Sequence, residues 1–285
     1  MHPVGPRDLT SLVEHRQRPI GVFDSGIGGL TVAAALRRRL PMESIVYLGD
    51  TARLPYGNKS PETVRRYTRR NVDFLLDRGV KAVVVACNTA SALALDELHP
   101  EVPIWGVIGP GARRAAETSG GRVAVIATRA TVLSGAYQRA LEAERSDLAI
   151  ESRACPLFVP LVEEGWHDDA ITEEVARRYL APLFDWGADT LVLGCTHYPL
   201  LRPVLARVAG PEVTLVDSAD AVADAVAEGL ATADLLTEMT EPFLELCVTD
   251  GDEAFRNFAG RILDQPRPPM EWVDVTEFGL PEGVR

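Results

Sequence analysis

Short apolar runs of strand length alternate with helical patterns along most of the chain, and this alternation constrains the fold most. Ala82–Ala86 is continuously apolar, as is typical of a central parallel strand that is covered on both faces. The other predicted strands are Ile20–Phe23, Ile45–Leu48, Ile104–Val107, Val123–Ala127, Leu191–Leu193, Val213–Val216 and Leu244–Val248. Helical patterns lie between or after them at 29–40, 61–78, 90–98, 130–143, 168–186, 199–208, 218–231 and 252–263. The chain therefore predicts an α/β fold with mainly parallel sheets and right-handed crossovers.

Two segments of the chain resemble each other and suggest a diverged duplication. Ala82–Asn88 and Thr190–Thr196 each read as a buried strand, a small residue, a cysteine and a polar residue that begins a helix. Upstream of each, a strand runs into a polar turn, at Val22–Ser25 and at Val125–Thr128. Because similar buried strands also arise by chance, the residues alone leave the duplication open.

The overall charge limits the partners that this chain can have. With 29 basic and 41 acidic side chains, its formal net charge is −12, and no basic stripe is available to neutralise phosphates. Nucleic acid is therefore not expected as a partner. No apolar run approaches the roughly 20 residues that span a bilayer. Because no secretory signal peptide is visible either, a cytosolic chain without a membrane partner is expected. The polar residues 1–18 are expected to form a flexible arm.

The four cysteines divide into two kinds by their surroundings. Cys87 and Cys195 each follow an apolar strand and precede a helix, where the positive helix end is expected to favour the thiolate. Cys155 and Cys247 lack this setting and are interpreted as buried structural residues. None belongs to a CxxC pair and histidine is scarce, so neither a disulfide framework nor a metal site is predicted.

Polar side chains at the carboxyl ends of the predicted strands mark the ligand-binding edge. They are Asp24-Ser25, Asp50-Thr51, Cys87-Asn88-Thr89 and Cys195-Thr196-His197. His197 is a candidate proton partner for Cys195, whereas Asp24 and Ser25 are also ordinary helix caps. Taken by itself, Glu163 is interpreted as part of an exposed acidic turn. The Gly26–Gly29 turn does not have the GxGxxG spacing of a dinucleotide site.

Three thiol chemistries remain open from these residues. A Cys–His hydrolase would use one nucleophile and leave Cys87 without a role. A redox pair would need the two thiols within disulfide reach. Two thiols could instead remove and return a proton on opposite faces of one carbon. The near-symmetry of the two halves fits this last chemistry best, because inversion of a stereocentre is itself nearly mirror-symmetric.

An ordered set of motifs, covering about residues 20–222, resembles the cofactor-independent glutamate racemases. The matching segments are Gly21–Val32, Tyr47–Gly57, Ala86–Ser91, Gly106–Gly111, Ile126–Val132, Cys155–Gly165, Leu193–Leu201 and Val216–Ala219. The resemblance implies two similar, pseudo-symmetric α/β lobes with the active site in the cleft between them. By analogy the first lobe takes 1–107 and 223–285, and the second takes 108–222.

The same resemblance implies a cytoplasmic isomerase that interconverts L- and D-glutamate without pyridoxal phosphate or metal. D-Glutamate of this origin feeds peptidoglycan synthesis, and a homodimer is compatible with the family. Two alternatives remain: a racemase for aspartate or another amino acid of the same superfamily, and a non-catalytic binding protein on the same fold.

Residue roles also follow from the resemblance. Cys87 and Cys195 are expected to be the two acid/base thiols, with Cys87 on the D-glutamate face and Cys195 on the L-glutamate face. Asp24 would assist Cys87, and His197 with Glu163 would assist Cys195. The expected substrate-binding residues are Asp24, Ser25, Tyr56, Gly57, Asn88, Thr89, Thr196 and His197.

Overall fold

The computed structural model describes residues 9–251 and 253–276, which form ten strands and twelve α-helices. The strands are β1 Ile20–Asp24, β2 Ile45–Gly49, β3 Ala82–Val85, β4 Ile104–Gly106, β5 Arg122–Ala127, β6 Ala149–Ala154, β7 Thr190–Gly194, β8 Thr214–Asp217, β9 Leu244–Val248 and β10 Met270–Trp272. The helices are α1 Leu9–Gln17, α2 Leu30–Arg39, α3 Pro61–Asp77, α4 Asn88–Ala94, α5 Ile108–Thr118, α6 Arg129–Ser134, α7 Ala136–Glu144, α8 Phe158–Glu163, α9 Ala170–Asp185, α10 Arg202–Ala209, α11 Ser218–Thr232 and α12 Glu253–Leu263. The predicted α/β class is confirmed.

The strands form two separate sheets that are parallel throughout. The larger sheet has the order β10-β9-β2-β1-β3-β4, and the smaller one has the order β6-β5-β7-β8. Every residue of β1, β2, β3 and β7 is buried, which explains their continuous apolar sequences.

The two sheets repeat one topology, which supports the expected pseudo-symmetry. The order β2-β1-β3-β4 in the larger sheet corresponds strand for strand to β6-β5-β7-β8 in the smaller one. Cys87 follows β3 and Cys195 follows β7, so the two cysteines occupy equivalent places in the two halves. Strands β9 and β10 extend the larger sheet beyond β2 and have no counterpart in the smaller one.

Several elements differ from the sequence predictions. Edge strands β6 and β10 were not predicted, and neither were the helices α5 and α8. The single helix expected over 130–143 is two helices, because Gly135 adopts φ +66° between α6 and α7. The helical patterns at 90–98 and 199–208 include 3₁₀ turns, Leu95–Glu97 and Tyr198–Leu201. Helix α12 matches its prediction, although Asp252 lies outside the described residues.

The segment expected to be an arm is partly helical. Residues 1–8 lie outside the described range, but α1 occupies Leu9–Gln17. The ammonium group of Lys81, which is fully buried, donates to the backbone carbonyl of Arg16 at the end of this helix at 2.6 Å. It donates also to the carbonyl of Leu235 at 2.8 Å and forms an ion pair with Glu43 at 2.6 Å. A buried charge thus holds the end of α1 against the base of the larger sheet.

Helix α11 carries the chain from the smaller sheet back to the larger one. It begins directly after β8, and its buried residues Val222, Val226 and Leu230 join the core around β1 and α2. The expected lobe boundary at 222/223 therefore falls within a continuous helix, and we propose Asp217/Ser218 as the crossing point. None of the helices within residues 9–251 and 253–276 has the length and apolarity needed to cross a bilayer.

Candidate active site

The polar strand ends of both sheets meet around one small cavity of about 20 Å³. Most of the expected site residues line it: Ser25, Tyr56, Gly57, Cys87, Asn88, Thr89, Glu163, Cys195, Thr196 and His197. Leu54 and Glu163 line both this cavity and a wider groove of about 470 Å³. The walls come from both halves of the chain, so the cavity exists only while the two halves are together.

Cys87 lies at the end of β3, at the residue that precedes α4, and is 4% exposed. Its thiol donates to the Ser25 hydroxyl, with 3.5 Å between Sγ and Oγ. Burial and the nearby Asp24 charge raise the pKa of the Cys87 thiol to about 12, although contacts to Ser25 and the Ala90 amide act in the lowering direction. The expectation that the helix end would favour a thiolate is therefore wrong for Cys87, because burial outweighs the helix end.

Cys195 follows β7 and faces a histidine rather than a serine. Its Sγ lies 4.0 Å from Nδ1 of His197, and Nε2 of the same ring lies 3.4 Å from Oε1 of Glu163. Burial acts to lower the pKa of His197, but Cys195 and Glu163 outweigh it and raise this pKa to about 10. The imidazole is therefore protonated near neutral pH, and its Nδ1 faces the Cys195 sulfur. His197 and Glu163, which are expected to assist Cys195, therefore lie in one series of contacts that leads from its sulfur.

Asp24, at the end of β1, is fully buried behind the cavity wall. Its Oδ2 accepts hydrogen bonds from the backbone amides of Gly26 at 3.2 Å and Gly29 at 2.9 Å. The hydroxyl of Thr196, from the other half, donates to Oδ1 at 3.3 Å. Asp24 thus shapes the turn before α2 and also joins the two halves beside both thiols. The helix-cap alternative for Asp24 and Ser25 is wrong, because the N-cap of α2 is Gly29 and no side chain caps this helix.

Tyr56 and Gly57 form another part of the wall. The Tyr56 hydroxyl donates to Oδ2 of Asp50, which is fully buried, and accepts from Nδ2 of Asn71 at 3.0 Å. These bonds fix the ring and engage the hydroxyl with Asp50 and Asn71. A Cβ atom on Gly57 would lie 2.6 Å from Cβ of Thr128 in the other half, so only glycine fits there.

Asn88 and Thr89 begin α4 and contact residues of the second half. Oδ1 of Asn88 accepts a hydrogen bond from the Tyr137 hydroxyl at 2.7 Å. The Thr89 hydroxyl lies 3.0 Å from that of Thr128 and 3.2 Å from that of Thr131. Thr128 and Thr131 were not among the expected site residues. The internal repeat could have identified Thr128. It follows β5, which is the counterpart of β1, and Asp24 lies at the end of β1.

The remaining cysteines stand apart from the cavity lining. All four cysteines are free thiols, and burial raises the pKa of both Cys155 and Cys247. Cys247 forms a possible metal-ligating group with Glu245 and Glu271, whose ligand atoms lie within 4.8 Å of one another. Both glutamates, however, form ion pairs with Arg78. This group belongs to β9 and β10, on the far side of β2 and β1 from β3.

Comparison with known proteins gives one consistent result. A sequence profile described as Asp/Glu/Hydantoin racemase matches residues 30–226. A glutamate racemase of Geobacter metallireducens is 53% identical over 227 residues, which cover 79% of this chain and 84% of that protein. One from Chlorobaculum tepidum is 47% identical over 262 residues, or 90% of this chain and 96% of that protein.

The solved structures agree with the sequences. A glutamate racemase of Francisella tularensis, crystallised with D-glutamate, superposes with a TM-score of 0.87 at 37% identity, covering 92% of this chain and all of that one. Profile, sequence relatives and fold point to the same group, and the two cysteines, the histidine and the glutamate stand together in the cavity. The chain belongs to the Asp/Glu/Hydantoin racemase family and, within it, is similar over most of its length to glutamate racemases.

Proposed function

We propose that the protein interconverts L- and D-glutamate by proton transfer at the α-carbon between Cys87 and Cys195. The observation that carries the proposal is the placement of these two thiols, at equivalent strand ends of two similar halves, around one small cavity. The similarity to glutamate racemases supports glutamate as substrate. We place the activity in the cytoplasm, where D-glutamate is supplied for peptidoglycan synthesis.

The two thiols start the reaction in different protonation states. The raised pKa of Cys87, about 12, keeps that thiol protonated before L-glutamate binds. We assign the base on the opposite face to Cys195, whose sulfur lies 4.0 Å from Nδ1 of His197. With L-glutamate, the Cys195 thiolate takes the α-proton and the Cys87 thiol returns one to the opposite face. One C–H bond breaks and one forms at the α-carbon, so the number of protons on the substrate does not change. This turnover leaves Cys87 as the thiolate and Cys195 as the thiol. D-Glutamate is converted by the reverse steps from that state: the Cys87 thiolate takes the α-proton, the Cys195 thiol returns one, and the starting state of the enzyme is restored.

Hydrogen-bond donors in the cavity stabilise the charge that develops on the substrate. When the α-proton leaves, negative charge spreads into the α-carboxylate, where fixed donors lower the barrier. Asn88 and Thr89 offer amide and hydroxyl donors at the start of α4, and both are buried. A few converging donors suffice to bind the two carboxylates of glutamate despite the net charge of −12 on the protein.

Hydrogen exchange in D₂O tests the reaction directly. Purified protein incubated with either glutamate enantiomer should incorporate deuterium at the α-carbon and lose optical rotation, measured by NMR and polarimetry. Cys87→Ser and Cys195→Ser should each abolish racemisation. Full racemisation by either variant would contradict the two-thiol mechanism. Activity should survive dialysis against a chelator, since no metal takes part in the proposed steps.

The same assay separates the alternatives. Faster exchange on aspartate than on glutamate would favour a racemase of the same superfamily with another substrate. Binding of glutamate without any exchange would favour a non-catalytic binding protein.

A homodimer forms part of the proposal by analogy with the family. Light scattering during gel filtration should give twice the 30.9 kDa chain mass. A mass equal to the single chain across the tested concentrations would remove the dimer from the proposal.

A further inference from the structure

Tyr137, on α7, contacts the turns that carry both thiols. It is 3% exposed, and its hydroxyl donates to Asn88, the residue after Cys87, at 2.7 Å. Its ring packs on Gly194, the residue before Cys195, where an added Cβ would lie 3.0 Å from Cε2 of the tyrosine. One side chain therefore spans the two thiol turns, one from each half of the molecule.

The direction of the hydrogen bonds at Tyr137 follows from the number of protons available. Oδ1 of Asn88 can only accept, so the single Tyr137 proton is given to it. Ser218 Oγ, 3.1 Å from the Tyr137 oxygen, must then donate its own proton to that oxygen. Burial raises the pKa of Tyr137, so the hydroxyl stays protonated throughout the ordinary pH range. The chain runs from Ser218 through Tyr137 to Asn88.

A glycine on the neighbouring helix α5 leaves room for the hydrogen bonds from Ser218 through Tyr137 to Asn88. A Cβ on Gly111 of α5 would lie 2.5 Å from Ser218 Oγ and 3.6 Å from the Tyr137 hydroxyl. Helices α5, α7 and α11 thus place the donors with little freedom to move.

From this geometry we propose that Tyr137 is a positioning residue that fixes the orientation of the Asn88 side-chain amide for substrate binding. With Oδ1 held by Tyr137, the amide group that Asn88 can offer to the cavity is Nδ2, which donates to a carboxylate. A reversed amide would instead present an oxygen to an anion. The inference rests on the proposed function, since it concerns how the same cavity binds glutamate.

Tyr137→Phe tests the role of the hydroxyl, because phenylalanine keeps the ring on Gly194. We expect KM for both enantiomers to rise about tenfold with kcat nearly unchanged, as expected when binding is lost equally in ground and transition states. Tyr179→Phe is the matched control, since it removes a hydroxyl from α9 in the same half, away from the thiol turns. Its KM should equal that of the wild type. Far-UV circular dichroism checks that each variant is folded.

A double-mutant cycle separates positioning from a general structural effect. In an Asn88→Ala background, Tyr137→Phe should change KM less than about twofold, because its target is gone. The same tenfold rise in both backgrounds, or an unchanged KM in the single variant, would overturn the inference. Wild-type protein without racemase activity would instead overturn the proposed function. If Tyr137→Phe does not fold, Ser218→Ala takes its place in the cycle, with an expected threefold rise in KM that disappears without Asn88. A rise that persists without Asn88, or no rise at all, would again overturn the inference.

Discussion

At the scale of single residues, the two halves place a thiol at the same point of the repeat but surround it differently. Cys87 faces the neutral Ser25 hydroxyl and a buried carboxylate, whereas Cys195 faces the His197 ring. Topological equivalence therefore does not make the two thiols chemically equivalent. The sequence predicts both cysteines and the histidine, which sits two residues from Cys195. The Glu163–His197 contact depends on how α8 packs against the turn after β7, which no local pattern encodes.

The difference between the thiols predicts an order of alkylation. With a pKa of about 12, only about one Cys87 in 10⁴ is a thiolate at pH 8. We expect iodoacetamide to label Cys195 at least about tenfold faster than Cys87, measured by peptide mass spectrometry over time. His197→Gln should slow the labelling of Cys195 without speeding that of Cys87. Equal rates at the two cysteines in the wild type would contradict the prediction.

The charge on His197 predicts a pH-dependent contribution to stability. Its pKa rises from an ordinary 6.5 to about 10 in the folded protein, so folding favours the protonated ring. This stabilisation is complete below pH 6.5 and is lost as the pH rises through 10. Urea unfolding of wild type and His197→Gln should therefore show a larger difference in unfolding free energy at pH 6 than at pH 10.5. A difference that does not change with pH would show that the imidazolium is not favoured by folding.

At the scale of elements, the turn between β1 and α2 presses directly on the turn after β7. A Cβ atom on Gly28 would lie 2.6 Å from the Thr196 hydroxyl oxygen and 2.7 Å from its carbonyl carbon. Because a backbone atom is involved, a side-chain rotation cannot relieve the contact. The absence of a side chain at Gly28 thus allows the two halves to approach closely beside both thiols.

Gly28→Ala should therefore lower activity by disturbing the cavity. A displacement near 1 Å at a reacting site can cost about 100-fold in rate, and we expect kcat/KM for glutamate to fall by that order. Gly109→Ala is the control, because nothing apart from its chain neighbours lies within 4 Å of the added Cβ. This control should keep full activity. Wild-type kcat/KM in Gly28→Ala would mean that the halves adjust without cost.

Strand β6 and helix α5 were missed for different physical reasons. Strand β6 lies at a sheet edge with half-exposed residues, including Glu151 and Arg153, so it has no apolar run to detect. Helix α5 begins with Ile108-Gly109-Pro110-Gly111, which reads as a loop. Its Gly111 is needed for the close approach of Ser218, a reason that only the packed structure reveals. Central strands, covered on both faces, were predicted nearly to the residue.

At the scale of the whole molecule, a buried ion pair joins distant parts of the chain at the base of the larger sheet. Lys81 is paired with Glu43 and also donates to the carbonyls of Arg16 and Leu235. Oε1 of Glu43 in turn accepts from the backbone amide of Thr237. Four chain segments thus depend on one pair of charges that is shielded from water.

Removal of one charge of this pair should be costly. We expect Lys81→Met to lower the free energy of unfolding by about 3–5 kcal/mol, because it leaves the Glu43 carboxylate buried without an opposite charge. The double variant Glu43→Gln/Lys81→Met should recover part of that loss. Chemical denaturation followed by circular dichroism measures both. A loss below about 1 kcal/mol for Lys81→Met would contradict the importance given to the pair.

The insertion of the smaller sheet between β4 and β9 has a consequence for synthesis on the ribosome. Strands β5 to β8 are contiguous and can pair as soon as they emerge. The larger sheet must wait, because β2 pairs with β9 through contacts such as Ile45 to Leu244. Nascent β2 therefore carries an unsatisfied edge while the whole second half is translated, and such edges are prone to aggregation. The larger sheet is therefore the first to be started during translation and the last to be completed.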